Sequence, residues 1–232
     1  MIKSVIFDFD GVLLESAEIK TEAFRQLFSG YPDKVDEIVK YHEMNMGISR
    51  YVKFHYFYEK ILGKELSRDK ETELGEKFSQ IVMKKIESAP FVPGTLDFLN
   101  AHYKKTPFFV ASGTPHEELY DIIKKRGIPH YFKEIHGTPR KKPEIIIDIL
   151  SRYSWSTSDV IFVGDAESDL KAAEESGVCF IARISPLSDN RLSGCPFRIN
   201  SMRELEKTID KIMLSKESHG NQLSRINPQR KT

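Results

Sequence analysis

The chain has 232 residues, of which 40% are hydrophobic and 30% charged, and its formal net charge is +1 at pH 7. A chain of this length can bury most of its apolar surface in one core domain with a modest insertion. The balanced charge argues against a nucleic-acid or membrane-surface partner, and no apolar run is long enough to span a bilayer. These features leave the oligomeric state open.

The first apolar run is followed by two aspartates, Asp8 and Asp10, and then by Gly11. The β-branched and aromatic residues of the run are typical of a buried strand, and the glycine marks its end. Successive strand side chains point to opposite faces, so Asp8 and Asp10 share a face unless the chain has already turned at Asp10. Two close carboxylates repel each other and are costly to bury, and a bound cation would relieve that cost.

Residues 16–89 contain only helical patterns of apolar residues and no good strand candidate. We expect a helical cap that joins the core near Glu15 and again near residues 90–93. The aromatic residues between 51 and 58 spread around a helix, so most should pack the cap's own core or its seam with the sheet domain. Three histidines without metal-type spacing are expected to be at the surface or partly packed: His42, His55 and His116.

From Pro93 onward, helical patterns alternate with short apolar runs, which is typical of a doubly wound, mostly parallel α/β sheet. Strands are expected near Phe108, Glu134, Val160, Val178 and Phe197. We therefore assign residues 1–15 and 90–214 to this core and expect residues 215–232 to form a disordered tail.

Polar groups follow several of these strands, and in an open α/β sheet ligands bind outside the carboxyl ends of the strands. These groups are Ser112 with Gly113, the basic triplet Arg140, Lys141 and Lys142 ahead of Pro143, then Asp165, and Asp169 in the first turn of the next helix. All of them can converge with the first two aspartates on one crevice.

In this order the motifs resemble those of the haloacid dehalogenase superfamily of Mg2+-dependent phosphotransferases, from Lys3 to about Ile184. The chain looks similar to the branch of phosphoglycolate phosphatases and β-phosphoglucomutases, which carry a helical cap after the first motif. The resemblance implies that Asp8 is the nucleophile and Asp10 the general acid/base.

The same resemblance implies a site for phosphate and metal. The phosphoryl group would be held by Ser112, Gly113 and Lys142. The cofactor would be Mg2+, bound by Asp8, the backbone carbonyl of Asp10, and Asp165, with Asp169 in support. These residue types fit the chemistry, because Mg2+ prefers oxygen ligands and a carboxylate that attacks phosphorus forms an aspartyl-phosphate. A general acid two residues after the nucleophile indicates that the enzyme acts on phosphate compounds and not on halides, since a dehalogenase would not need this acid.

The chain departs from the family pattern at three places. Glu15 stands where many relatives have Asp, and Gly113 stands where Asn is common. The basic element lacks the usual Gly-Lys-Pro, so Lys142 is favoured as the phosphate lysine and Lys141 is the alternative.

A short cap segment, Gly47-Ile48-Ser49-Arg50, resembles the Gly-Val-Ser-Arg stretch of β-phosphoglucomutases, where the arginine contacts the non-reacting phosphate. Arg50 is therefore a candidate for binding a distal phosphate or carboxylate of the substrate. The alternative is that Ser49 caps a helix and Arg50 is a surface charge.

We predict a cytoplasmic, Mg2+-dependent phosphatase that acts on a small phosphorylated metabolite, either a sugar phosphate or a phosphoglycolate-like acid. The near alternative is a sugar phosphomutase of the β-phosphoglucomutase type, although Lys20 stands where the mutases carry His. A non-catalytic protein that binds metal or phosphate is a third candidate. A phosphonate hydrolase would need a cap lysine with a lowered pKa, and the sequence context of Lys20 and Lys53 gives no sign of one.

Overall fold

The computed structural model of the chain describes residues 1–186 and 190–226. Its centre is a six-stranded sheet in the order β3-β2-β1-β4-β5-β6, and every neighbouring pair of strands is parallel. The strands are β1 Ser4–Phe7, β2 Phe108–Pro115, β3 Phe132–Thr138, β4 Val160–Gly164, β5 Cys179–Arg183 and β6 Arg198–Ile199. The predicted doubly wound sheet and its strand positions are confirmed.

The strand order reverses at β1, which pairs with β2 on one side and with β4 on the other. A crevice forms at such a switch point, outside the carboxyl ends of the central strands. The sheet is covered on both faces, because Val5 and Phe7 of β1 belong to one buried apolar cluster and Ile6 to another. This burial explains why the strands are nearly continuous apolar runs.

Five helices accompany the sheet: α5 Thr95–His102, α6 His116–Lys125, α7 Lys142–Arg152, α8 Glu167–Ser176 and α9 Leu205–Ile226. The last helix includes residues 215–226, which the sequence analysis assigns to the tail, and the disorder of the tail stays a prediction. The lysines, glutamates and leucines of α9 are good helix formers, and they continue the helix past Ile212, which is buried in the core. Residues 227–232 lie outside the described residues.

The predicted cap is helical throughout, and residues 16–89, all of which are described, contain no strand. Its helices are α1 Ala17–Leu27, α2 Val35–Met44, α3 Arg50–Tyr56, a π-helical continuation Phe57–Leu62, and α4 Arg68–Ile86. The two chain connections to the sheet lie side by side, since Glu15 N–H donates to Pro90 O at 2.9 Å and Val92 N–H to Leu13 O at 3.0 Å. The domain boundaries themselves stay a prediction.

The cap has its own aromatic core, as the sequence predicts. Phe54 and Phe57 are fully buried, whereas His55 and Tyr56 of the same segment are exposed. The Phe57 ring lies 5.5 Å from the ring of Phe24 and 5.3 Å from that of Phe28, in edge-on arrangements. No helix within the described part of the chain has both the length and the apolar character needed to cross a bilayer.

We expect the Phe57→Ala substitution to lower the free energy of unfolding by about 3–5 kcal/mol, because it leaves a cavity in a closely packed aromatic core. Val52→Ala is the control, since Val52 is 56% exposed on the neighbouring helix and should change the same quantity by less than about 0.5 kcal/mol. Urea denaturation measures both. Equal losses in the two variants would contradict this description of the cap core.

Candidate active site

The turn after β1 places Asp8 at the carboxyl end of the central strand. The Asp8 N–H donates to Val163 O at 2.9 Å, which ties the residue to the end of β4. Its side chain is buried, and Oδ1 accepts a hydrogen bond of 2.7 Å from the N–H of Phe9. Gly11 follows with φ of +72°, and a Cβ at this position would lie 1.9 Å from Oδ2 of Asp165. Glycine is therefore required for the turn and for the approach of Asp165.

Three buried aspartates form an acidic cluster: Asp8, Asp165 and Asp169 have carboxylate oxygens within 4.8 Å of one another. Burial, with repulsion from Asp169 and Asp10, raises the pKa of Asp8 to about 7, although Lys142 opposes this shift. Burial and the two neighbouring carboxylates also raise the pKa of Asp165 well above its usual range. The cluster is therefore short of positive charge.

The Lys142 ammonium forms ion pairs with two aspartates of this cluster. Its Nζ lies 3.0 Å from Oδ2 of Asp8 and 2.5 Å from Oδ1 of Asp169. Burial alone would lower the pKa of Lys142, but the two carboxylates outweigh it and raise the pKa. Lys141 is exposed at the start of α7, so the structure brings Lys142 and not Lys141 into the site.

The position of Asp169 depends on two local features. It lies in the first turn of α8, where its Oδ2 accepts a hydrogen bond of 3.1 Å from the N–H of Ala166. Gly164 at the end of β4 leaves the space that Asp169 occupies, since a Cβ there would lie 2.3 Å from the Asp169 Cβ. Asp169 therefore holds Lys142 from the side opposite to solvent, with no exposure of its own.

Asp10 makes a different set of contacts from Asp8. Its Oδ1 accepts a hydrogen bond of 2.7 Å from Ser16 Oγ, and its Oδ2 accepts one of 3.0 Å from Thr114 Oγ1 and another from the Lys20 ammonium. Burial opposes ionisation, but the charge of Lys20 and these three hydrogen bonds outweigh it and lower the pKa of Asp10. Asp10 is therefore a carboxylate near neutral pH, and Lys20 connects it to the cap.

The end of β2 supplies Ser112 and Gly113 to the same cavity. Ser112 is buried, and its Oγ accepts a hydrogen bond of 3.2 Å from the N–H of Thr114. A Cβ on Gly113 would lie 2.5 Å from the carbonyl oxygen of Gly47 in the cap. A side chain at position 113 would therefore collide with the cap, which accounts for Gly where the resemblance predicts Asn.

The cap closes the cavity with four polar side chains: Lys20, His42, Arg50 and Lys53. The cavity has an empty volume of about 550 Å³, open solvent included. The sequence singled out Arg50 as a substrate ligand, and it does line the cavity. The interpretation of Arg50 as a surface charge is wrong, because the residue is only 4% exposed.

The Arg50 guanidinium, however, already has partners. It forms a two-pronged ion pair with Glu118 of α6, donates to Ser79 Oγ at 2.8 Å, and lies 4.4 Å from the centre of the Phe78 ring. Ser49 precedes the helix of Arg50 without a capping side-chain hydrogen bond. Arg50 therefore connects the cap to the core, a contact that 68 residues of sequence separation hide from any local pattern.

Two cap residues differ from the sequence expectations. His42 is only 4% exposed, whereas His55 and His116 are exposed as predicted. The position of His42 one helical turn after Ile38, on the buried face of α2, was a signal in the sequence that could have located it. Burial and the nearby ammonium of Lys20 lower the pKa of Lys53 well below its usual value, contrary to the expectation from its sequence context.

A sequence profile described as Haloacid dehalogenase-like hydrolase matches residues 5–183. A phosphorylated carbohydrates phosphatase of Thermotoga maritima is 23% identical over 184 residues, covering 76% of this chain and 82% of the relative. A phosphoglycolate phosphatase of Vibrio cholerae is 27% identical over 188 residues, covering 76% and 81%.

Solved structures share the fold. A hydrolase from Pseudomonas syringae superposes with a TM-score of 0.75 at 17% identity, covering 90% of this chain and 99% of that chain. A β-phosphoglucomutase from Clostridium difficile superposes with a TM-score of 0.71 at 18% identity, covering 92% and 100%. At these identities the likeness shows the architecture alone.

We expect Gly11→Ala to destabilise the protein and to weaken the binding of a divalent cation, with Mg2+ as the probe, because its methyl group would displace Asp165. Gly63→Ala is the matched control, since Gly63 also has a positive φ, of +61°, but has nothing within 4 Å of the added Cβ. Both variants carry the backbone strain, about 1–2 kcal/mol. Calorimetric titration should find weaker Mg2+ binding only in Gly11→Ala, and equal affinities in the two variants would contradict the assignment.

Proposed function

Since the chain belongs to the haloacid dehalogenase-like hydrolase family and is a phosphoric monoester hydrolase, we propose that it uses Mg2+ to hydrolyse a small phosphorylated metabolite through an aspartyl-phosphate on Asp8. One observation carries the proposal. The Asp8 carboxylate, with the Lys142 ammonium 3.0 Å away, belongs to an acidic cluster in a cavity that the cap closes.

The acidic cluster fits a divalent cation. Three carboxylates share a single ammonium, so two negative charges are left when all three are ionised. Carboxylate oxygens are the ligands that Mg2+ prefers. Asp8 and Asp165 would hold the ion, with the Asp10 carbonyl as predicted, while Asp169 is placed to hold Lys142. When bound, the ion supplies charge that lets the anionic phosphate approach the Asp8 carboxylate.

The chain's own residues would then divide the work of phosphoryl transfer. The Asp8 carboxylate attacks phosphorus, which replaces one difficult displacement by two easier ones. Lys142, the Ser112 hydroxyl and the backbone N–H groups near Gly113 stabilise the charge that develops on the phosphoryl oxygens. Ser112 and Gly113 lie near the end of β2, and Lys142 begins α7 after β3, so the sheet and this helix fix their relative positions.

Asp10 would act mainly as the base. Its lowered pKa keeps it ionised, which suits removal of a proton from the water that hydrolyses the aspartyl-phosphate. The same low pKa does not suit protonation of a leaving group in this arrangement. For Asp10 to protonate the leaving group as a general acid, its contact with Lys20 has to loosen when substrate binds.

The substrate would be a sugar phosphate or a phosphoglycolate-like acid. The named relatives from Thermotoga maritima and Vibrio cholerae act on substrates of these two kinds, according to their names. A sugar phosphomutase is the second candidate, and it is favoured only by the Gly47 to Arg50 segment. The contact of Lys20 with Asp10 occupies the place of the histidine in the mutases and favours hydrolysis. Cytoplasmic location and the lack of a nucleic-acid or membrane partner stay predictions.

The experiment is phosphate release from a panel of phosphorylated metabolites with Mg2+, with and without EDTA. We expect Asp8→Asn to lower kcat by about a thousandfold or more, because it removes the nucleophile. Lys142→Ala should cause a similarly severe loss. Lys141→Ala is the matched control, because Lys141 is the neighbour of Lys142 in sequence but its side chain is exposed. This substitution should leave kcat within about twofold of that of the unsubstituted protein.

Two outcomes would contradict the proposal. Phosphate release that survives both EDTA and Asp8→Asn would exclude the aspartyl-phosphate mechanism. Isomerisation of a sugar phosphate without net phosphate release, dependent on a bisphosphate activator, would favour the mutase instead.

A further inference from the structure

A lysine and a histidine of the cap form a buried pair in the wall of the cavity. Lys53 is 2% exposed and His42 is 4% exposed, and the Lys53 Nζ lies 2.7 Å from Nδ1 of His42. Both residues line the cavity that contains Asp8. The proposed function gives this pair no role.

Lys53 differs from the other cations of the cavity in what surrounds it. Lys20 pairs with Asp10, and Arg50 with Glu118, as described above. Within residues 1–186 and 190–226, no carboxylate lies within ion-pair distance of the Lys53 ammonium. The Lys53 ammonium also lies over the face of the Phe24 ring, 5.5 Å from the ring centre. This cation–π contact stabilises the charge less than a carboxylate partner would. A buried ammonium without a counter-ion is costly, which agrees with the lowered pKa of Lys53, and an anion beside the amine would favour its charged form.

His42 has one ring nitrogen, Nε2, without a hydrogen-bond partner among the described residues. Nδ1 faces the Lys53 ammonium and accepts from it, so the neutral ring carries its proton on Nε2. Burial and the charges of Lys53 and Lys20 lower the pKa of His42 to about 2, which keeps the ring neutral and Nε2 a donor. The pair thus has donors that nothing in the described chain satisfies.

We propose that Lys53 binds a carboxylate of the substrate and that His42 positions the Lys53 side chain, so that the enzyme acts on phosphorylated carboxylic acids; this inference rests on the proposed function. The Lys53 ammonium supplies the charge, and the 2.7 Å contact with Nδ1 of His42 fixes its place in the cavity wall. The cavity, with an empty volume of about 550 Å³, also has to admit the phosphoryl group, which favours a compact second anion. Lys20, Arg50 and Lys142 add positive charge around Lys53, and Asp10 is the acidic group that opposes it.

The ion-pair partners of Lys53 and Arg50 also indicate that Lys53, and not Arg50, binds the anion. An anion at Arg50 would have to displace Glu118 and leave this carboxylate, only 10% exposed, without its counter-ion. An anion at Lys53 displaces no carboxylate and supplies the missing counter-ion. Arg50 then serves to hold the cap against α6.

The test compares two ligands that differ only in the group in question: 3-phosphoglycerate has a carboxylate where glycerol 3-phosphate has a hydroxymethyl group. Affinities are measured by calorimetric titration with Asp8→Asn protein, so that no turnover occurs. We expect the carboxylate ligand to bind about ten- to a hundredfold more tightly. Adding Lys53→Met should abolish this preference, and adding His42→Phe should reduce it.

Lys60→Met is the matched control, because Lys60 lies in the same cap segment with its side chain 58% exposed, and the preference should stay unchanged. Equal affinities for the two ligands, or a preference that survives Lys53→Met, would overturn the inference. So would borohydride trapping of an aldehyde-bearing phosphate on Lys53, which would make this amine a nucleophile. Since binding is measured without turnover, these results are independent of the phosphate-release experiment that tests the proposed function.

Discussion

The ion pairs of Lys142 with Asp8 and Asp169 are the interactions on which the rest of the site depends. Without them, three buried carboxylates would face one another at the end of the sheet, and their repulsion would have to be relieved by protonation. With them, Asp8 stays close to an ammonium, which the proposed mechanism also uses to bind a phosphoryl oxygen. Much of the surrounding structure, including the glycine at position 11, serves to bring these charges together.

The cap makes the second contribution by completing a cavity that the sheet leaves open. Lys20 contacts Asp10, Arg50 contacts Glu118, and the backbone of Gly47 lies against Gly113. These contacts hold the cap against the core, above a nucleophile candidate that is 2% exposed. The proposed mechanism requires one of them, Lys20 with Asp10, to loosen when substrate binds.

The sequence predicts the sheet and most of the core site for a physical reason. Apolar runs that end in Asp8, Ser112 or Asp165 combine a strand signal with a polar strand end, and parallel strands bring such ends together. The burial of His42 had a signal in the sequence, its spacing from Ile38 on α2, but the partner of Arg50 and the burial of Lys53 could not be predicted in this way. They depend on how the cap packs on the core, and lysine in a helix is exposed far more often than buried.

The formation of an aspartyl-phosphate on Asp8 tests the central claim most directly. Asp10→Asn protein is mixed with Mg2+ and an aryl phosphate, whose leaving group needs no acid, then quenched in acid and reduced with borohydride. An acyl phosphate on Asp8 is reduced to a primary alcohol, and the account predicts that mass spectrometry will find this change at position 8. Release of the aryl alcohol with position 8 unmodified would contradict it.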